Sequence, residues 1–154
     1  MDDQFSPGKH IKNLKTGPKV GLVDSNEVPL EGILGVAGAV ETIDAAVNIG
    51  ADRLIMQPGS EFELHTHPGA HILYVLSSRG FIHVDGVDYE MGDGDTVYVP
   101  ANYAHGVKTD PTVSKPLEIV AFGVPHMPLE SSDRMELVGR EGAHDELDVL
   151  DAPG

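Results

Sequence analysis

The sequence predicts an all-β protein built as a single domain, and three observations carry that prediction. Glycine occurs 18 times and proline 11 times in 154 residues, punctuation suited to many short strands joined by tight turns. The apolar runs between these breaks are short and rich in β-formers, as at residues 72–76, 96–99 and 117–124. Two further runs, 81–84 and 87–91, are separated by Asp85 and Gly86, a strong two-residue hairpin signal. A chain of this length with 40% hydrophobic residues suits one core, and no second domain is expected.

Taken in order, residues 1–19 lack periodicity and read as an N-terminal arm. Residues 19–23 form a candidate edge strand ended by the turn at 24–26. Residues 28–50 admit two readings: the glycines within 33–40 speak against a helix, whereas 40–47 carry apolar residues at helical spacing. Residues 51–57 run into Pro58 and Gly59, a turn signal that leads to the strand bearing His65 and His67. By strand parity Arg53, Ile55 and Gln57 share one face, and Asp52, Leu54 and Met56 share the other. The strand at 72–76, the hairpin, a turn at 92–95 and the strand at 96–99 follow. Residues 106–109 continue outward from His105, and 117–124 close the domain. The expected division is an arm at 1–19, a β-domain at 20–125 and an acidic C-terminal extension at 126–154.

Four histidines in two segments point to one metal site. Side chains at i and i+2 project from the same face of a strand, so His65 and His67 can reach one ion while Thr66 points away. Pro68 and Gly69 break that strand, and His71 opens the next apolar run, from where it can fold back toward the first two. His105 arrives from a separate segment, after the turn-rich residues 100–104 that close the strand at 96–99. Imidazole suits zinc, copper, iron and nickel. His10, His83, His126 and His144 lack a second ligand-type residue at metal-compatible spacing and read as surface histidines.

The two histidine segments resemble the paired motifs of the cupins. The first cupin motif reads G-x5-H-x-H-x3/4-E-x6-G, and Gly59, His65 and His67 match it; the second reads G-x5-P-x-G-x2-H-x3-N, and Gly94, Pro100 and His105 match it. His71 stands where most cupins carry glutamate, Ser78 where the last glycine of the first motif falls, Asn102 at the middle glycine of the second, and Thr109 at its final asparagine. Asn102 is a mild change because Asn tolerates a left-handed backbone. The all-histidine set resembles a minority of small bacterial cupins. This resemblance, covering roughly residues 50–125, implies a double-stranded β-helix barrel with the metal inside, and it favours strands for residues 28–50. It also implies a homodimer formed by exchange of edge or N-terminal strands, with residues 19–40 as the candidate segment.

Composition narrows the partners. A net charge of −15 disfavours nucleic acid and anionic membranes. Eight acids crowd residues 126–154 against Arg134 and Arg140, while the first 19 residues hold four lysines against Asp2 and Asp3. The two termini read as solvated ends. Absence of cysteine removes disulfides and thiolate ligands, no membrane-length apolar run occurs, and the acidic N-terminus does not resemble a signal peptide, so cytoplasmic residence is expected.

Four neutral imidazoles leave a divalent ion its full charge, making it a strong Lewis acid toward an anionic substrate, with two positions open if the ion is six-coordinate. One ion of iron, manganese, copper, nickel or zinc is expected, the sequence not choosing among them. The first functional expectation is a mononuclear, oxygen-dependent oxidoreductase of the dioxygenase type acting on a small organic substrate. The alternatives are a zinc-dependent cyclase or isomerase and a small-molecule-binding cupin without turnover. If the Arg53 face looks inward, its guanidinium can hold a substrate carboxylate. Tyr103 is a candidate proton or hydrogen-bond donor beside the metal.

Overall fold

A computed structural model of the chain describes residues 5–45 and 47–138. After a single helical turn, α1 (Pro7–His10), the chain forms eleven strands: β1 (Lys19–Val23), β2 (Pro29–Asp44), β3 (Val47–Met56), β4 (Glu61–Thr66), β5 (Ala70–Ser77), β6 (Arg79–Val84), β7 (Val87–Gly92), β8 (Thr96–Val99), β9 (His105–Thr109), β10 (Leu117–Val124) and β11 (Glu136–Leu137). They build two antiparallel sheets, ordered β1-β2-β3-β10-β5-β8 and β11-β4-β9-β6-β7. Facing side chains of the two sheets, among them Leu54, Met56, Phe62, Leu73, Val75, Ile82, Met91, Leu117 and Ile119, form one buried core.

Residues 29–44 and 47–50 form strands rather than a helix. β2 is a 16-residue strand, and it pairs with β3 along nearly its whole length from Ile33 opposite Met56 to Asp44 opposite Val47. The helical spacing in 40–47 loses because Val40, Thr42 and Ile43 are β-branched and the strand finds a partner for its backbone. The glycines serve that pairing: a Cβ on Gly38 would run into the Ala51 carbonyl. The hairpin between β6 and β7 has φ of 54° at Asp85 and 79° at Gly86, both positive as a type I′ turn requires. Asn102 and Ser78 adopt φ of 60° and 75°, so two residues standing at motif glycines keep the left-handed backbone those glycines would supply.

Parity along β3 places Asp52, Leu54 and Met56 on the inner face, at 2%, 5% and 0% exposure. The outer face of the larger sheet carries an apolar row, Phe122 opposite Ile72 and Ile72 opposite Tyr98, all three exposed. β1 lies at the edge of that sheet but pairs with β2 of the same chain and buries Leu22 in the core. The arm is tied to the domain: His10 and Lys9 both meet Glu41 of β2, at 2.7 and 2.8 Å.

The residues after 125 do more than extend from the domain. Leu129 and Met135 enter the core, Ser131 caps a short 3-10 turn (Ser132–Arg134), and β11 adds to the second sheet with Leu137 opposite His65. The remaining acids from Glu141 onward, together with Arg140, His144, Asp2 and Asp3, lie outside the described residues. Among the described residues no helix is long and apolar enough to cross a membrane.

Candidate metal centre

The second sheet brings three of the four histidines together. His65 on β4 stands directly opposite His105 on β9, and His67 follows just past the end of β4. A β-bulge between Phe62 and His65 re-aims the end of β4, a common device beside functional sites. The amide of Asn102 donates to the His67 carbonyl at 2.8 Å, which ties the left-handed turn before β9 to the backbone of a candidate ligand.

Each of the three imidazoles is oriented by a carbonyl two residues away. Nδ1 of His65 lies 2.6 Å from the Glu63 oxygen, that of His67 2.8 Å from Gly69, and that of His105 2.8 Å from Tyr103. A carbonyl only accepts, so Nδ1 carries the proton and the lone pair is left on Nε2. One nitrogen from each ring lies within 4.8 Å of the other two, and with Nδ1 engaged the nitrogen each ring has left to offer an ion is Nε2. Carbonyl-anchored imidazoles converging by Nε2 fit a divalent transition ion.

His71 stands apart from this group. It projects from β5 in the opposite sheet, its ring centroid 4.3 Å from that of His67, but it is not among the nitrogens that lie mutually within 4.8 Å. Among the described residues no carbonyl orients its ring. Gly123, opposite it on β10, leaves the space it fills, since a Cβ there would come within 3.0 Å of Cδ2 and 3.1 Å of Nε2. Three of the four expected ligands thus form one group, and His71 lines the same cavity from the facing sheet.

Burial keeps all four rings neutral. Desolvation is the largest cause in each case, lowering His65 well below its ordinary value, His67 to about 4 and His71 to about 2, and lowering His105 as well. A neutral imidazole is the ligand form. The charge of Arg134 pushes His65, His67 and His71 the same way.

The histidines open on a narrow cavity of ≈ 40 Å³. Its other walls are largely apolar, with Leu54, Phe62, Leu73, Ile119 and Met135 prominent, and among the described residues its one charged lining residue is Arg134. That arginine was not singled out as a site residue from the sequence. It is 7% exposed, and its Nη1 donates to the Met127 carbonyl at 3.0 Å and lies 3.5 Å from Asp52. His126 joins the same carboxylate, Nε2 to Oδ2 at 2.8 Å, with only 11% of its side chain exposed, so it is a buried partner rather than a surface histidine. Gly50 makes room for it: a Cβ there would sit 2.7 Å from the His126 ring. A signal was present in Asp52, a carboxylate sharing a strand face with Leu54 and Met56, which demands a buried partner.

The two proposed catalytic side chains lie elsewhere. Arg53 is on the outer face of β3, where its guanidinium meets Glu118 at 2.9 Å and donates to the Leu14 carbonyl at 2.8 Å. Tyr103 points its hydroxyl to Asp85 at 2.8 Å, and that bond raises the phenol above its ordinary value. Its contribution to the centre is its backbone carbonyl, which orients His105.

Residues 52–122 match the cupin-domain family Cupin_2. The same two-sheet fold recurs in the polyketide cyclase RemF of Streptomyces resistomycificus, with a TM-score of 0.63 at 15% identity over 89% of this chain and 91% of that one. An RmlC-like cupin of Shewanella frigidimarina gives a TM-score of 0.57 at 17% identity over 76% and 91% of the two chains. The chain carries a cupin domain. A predicted oxalate decarboxylase of Thermotoga maritima also has this cupin fold, at a TM-score of 0.57 and 17% identity over 75% of this chain and 99% of that one. In sequence, the cupin is 31% identical over 83 residues to an uncharacterised protein of Methanocaldococcus jannaschii, a match spanning 53% of this chain and 65%, just under two thirds, of that relative. The family match ends at Phe122, so His126 and Arg134 come from this cupin's own C-terminal segment.

Proposed function

We propose that this cupin is a mononuclear metal-dependent enzyme in which His65, His67 and His105 hold one divalent ion and a small organic substrate reacts beside it. The observation that carries the reading is that His65, His67 and His105 each bring one ring nitrogen within 4.8 Å of the other two, beside a largely apolar cavity. When bound, iron, manganese, copper, nickel or zinc would supply Lewis acidity there, and the redox-active ions of this set would also supply activation of dioxygen.

The chain's own residues do the rest. Carbonyls of Glu63, Gly69 and Tyr103 fix the tautomer and direction of the three ligands. Apolar walls exclude water and strengthen every charge interaction inside. Among the described residues the lining includes no Asp, Glu, Lys, Ser or Tyr, so His71, neutral and adjacent to His67, is the side chain placed to accept a proton from the substrate. A wall this poor in acid–base groups favours chemistry driven by the ion over chemistry driven by paired side chains, and supports an oxygen-dependent oxidoreductase of the dioxygenase type as the first reading. His71 is the observation that favours the second, a cyclase or isomerase in which this ring takes a proton from the substrate and a bound ion would supply Lewis acidity.

Oxygen uptake separates them. Protein loaded with Fe(II) is mixed under anaerobic and aerobic conditions with a panel of small organic acids, enols and catechols; consumption of oxygen with substrate supports the first reading. Turnover of the zinc-loaded protein without oxygen establishes the second, and ligand binding without turnover in any metal form contradicts both.

A further inference from the structure

We propose that Arg134 is the substrate-anchoring residue of this cupin and that its ligand is a small organic carboxylate. The inference rests on the metal reading above and extends it to the class of molecule bound.

Arg134 has unused binding capacity in a buried place. Its protein contacts, the Met127 carbonyl and Asp52, are both made by Nη1. Nε and Nη2 donate to no protein atom among the described residues, although the side chain is 7% exposed and lines the cavity beside the three histidines. Buried donors are normally satisfied, and a guanidinium edge with free N–H groups matches the two oxygens of a carboxylate.

Charge points the same way. The ligand set is neutral, so a divalent ion would keep both its charges. Among the described residues no acidic side chain lines the cavity, and the carboxylate that Arg134 meets, Asp52, is shared with His126. A buried charge of this size needs a compensating anion, which the entering molecule must bring. Size restricts it further: ≈ 40 Å³ of free space holds about three water-sized groups, a carboxylate and little more.

The guanidinium is also held in position. Leu129 and Met135 anchor the segment on either side, Ser131 accepts from the Asp133 amide at 3.1 Å, and β11 then pairs with β4 beside His65. An anion on Arg134 is therefore presented to the metal strands by a segment bonded to one of them.

The test uses the full-length protein, zinc-loaded and metal-free, titrated with acetate and with its neutral isostere acetamide while the guanidinium NMR signals are followed. In the wild type, acetate shifts the Arg134 signals and acetamide does not. Arg134→Gln weakens acetate binding by about tenfold or more at unchanged zinc per chain, and Arg134→Lys falls between because it keeps the charge but loses the fork. Acetate binding that is unaltered in Arg134→Gln overturns the proposal, as do Arg134 signals that ignore acetate in the wild type, a measurement that stands even where the glutamine variant does not fold. Failure of the wild type to hold zinc contradicts the metal reading alone, since the metal-free titration still reports whether Arg134 takes the anion.

Discussion

His65 and His105 face each other across β4 and β9, and each donates its Nδ1 proton to the carbonyl two residues before it. The same two-residue offset that builds a strand thus sets the tautomer of both ligands, and His67 achieves the mirror arrangement with the carbonyl two residues after it. The centre is wired by backbone, and no other side chain has to be correctly placed to orient it.

That wiring distinguishes His71 from the rest. His71→Ala is expected to leave metal content close to the wild type, at about one ion per chain, while lowering turnover. Metal analysis alongside rate measurement checks this. Loss of the ion in His71→Ala would make it a fourth ligand.

Gly123 gives an independent handle on the same ring. Gly123→Val places carbon where Cδ2 and Nε2 of His71 now stand, at 3.0 and 3.1 Å from even a first Cβ. The variant is expected to match His71→Ala in rate while keeping its metal. A fully active Gly123→Val would show that the position of His71 does not matter.

Acid should loosen the metal-free protein through the histidines. Their folded values lie below the ordinary 6.5, to about 4 for His67 and about 2 for His71, so the unfolded chain binds more protons than the folded one. Stability therefore rises with pH in this range; it is fully present above 6.5 and is lost as pH falls toward 4. Thermal melts at pH 7, 6 and 5 are expected to show a falling Tm, since ordinary carboxylates scarcely titrate there. A flat profile would mean these rings are not buried neutral.

Asp52 is the countercharge for a buried guanidinium and for His126. Asp52→Ala is expected to cost ~3–5 kcal/mol of folding stability, the range for breaking a buried pair, measured by denaturant unfolding. A cost under ~1 kcal/mol, as for an exposed pair, would contradict the buried arrangement.

The homodimer implied by the cupin resemblance has a second candidate face beside the exchanged segment 19–40. β1 pairs within its own chain and Leu22 is in the core, whereas Phe122, Ile72 and Tyr98 leave an apolar row on the outer surface. Light scattering is expected to show a dimer for the wild type and a monomer for Ile72→Glu combined with Phe122→Lys. A variant that stays dimeric would move the interface elsewhere.

Legibility in the sequence followed locality. The hairpin at Asp85 and Gly86, the tolerance of Asn102 for a left-handed backbone and the His65 and His67 pair are set by neighbours in the chain, and all were readable. Parity separated Arg53 from Asp52 but could not say which looked inward, because that depends on β10 and β2 on either side of β3. Arg134 was hidden in an acidic stretch; what gives it meaning is Asp52, 82 residues earlier, and a cavity made by both sheets.

The most direct test of the account is metal per chain in untagged protein purified without chelator, measured for the wild type, His65→Ala and His105→Ala. About one divalent transition ion in the wild type and almost none in either variant is the predicted result. Equal metal in all three, or a wild type that takes up no ion when supplied with one, would contradict the three-histidine centre.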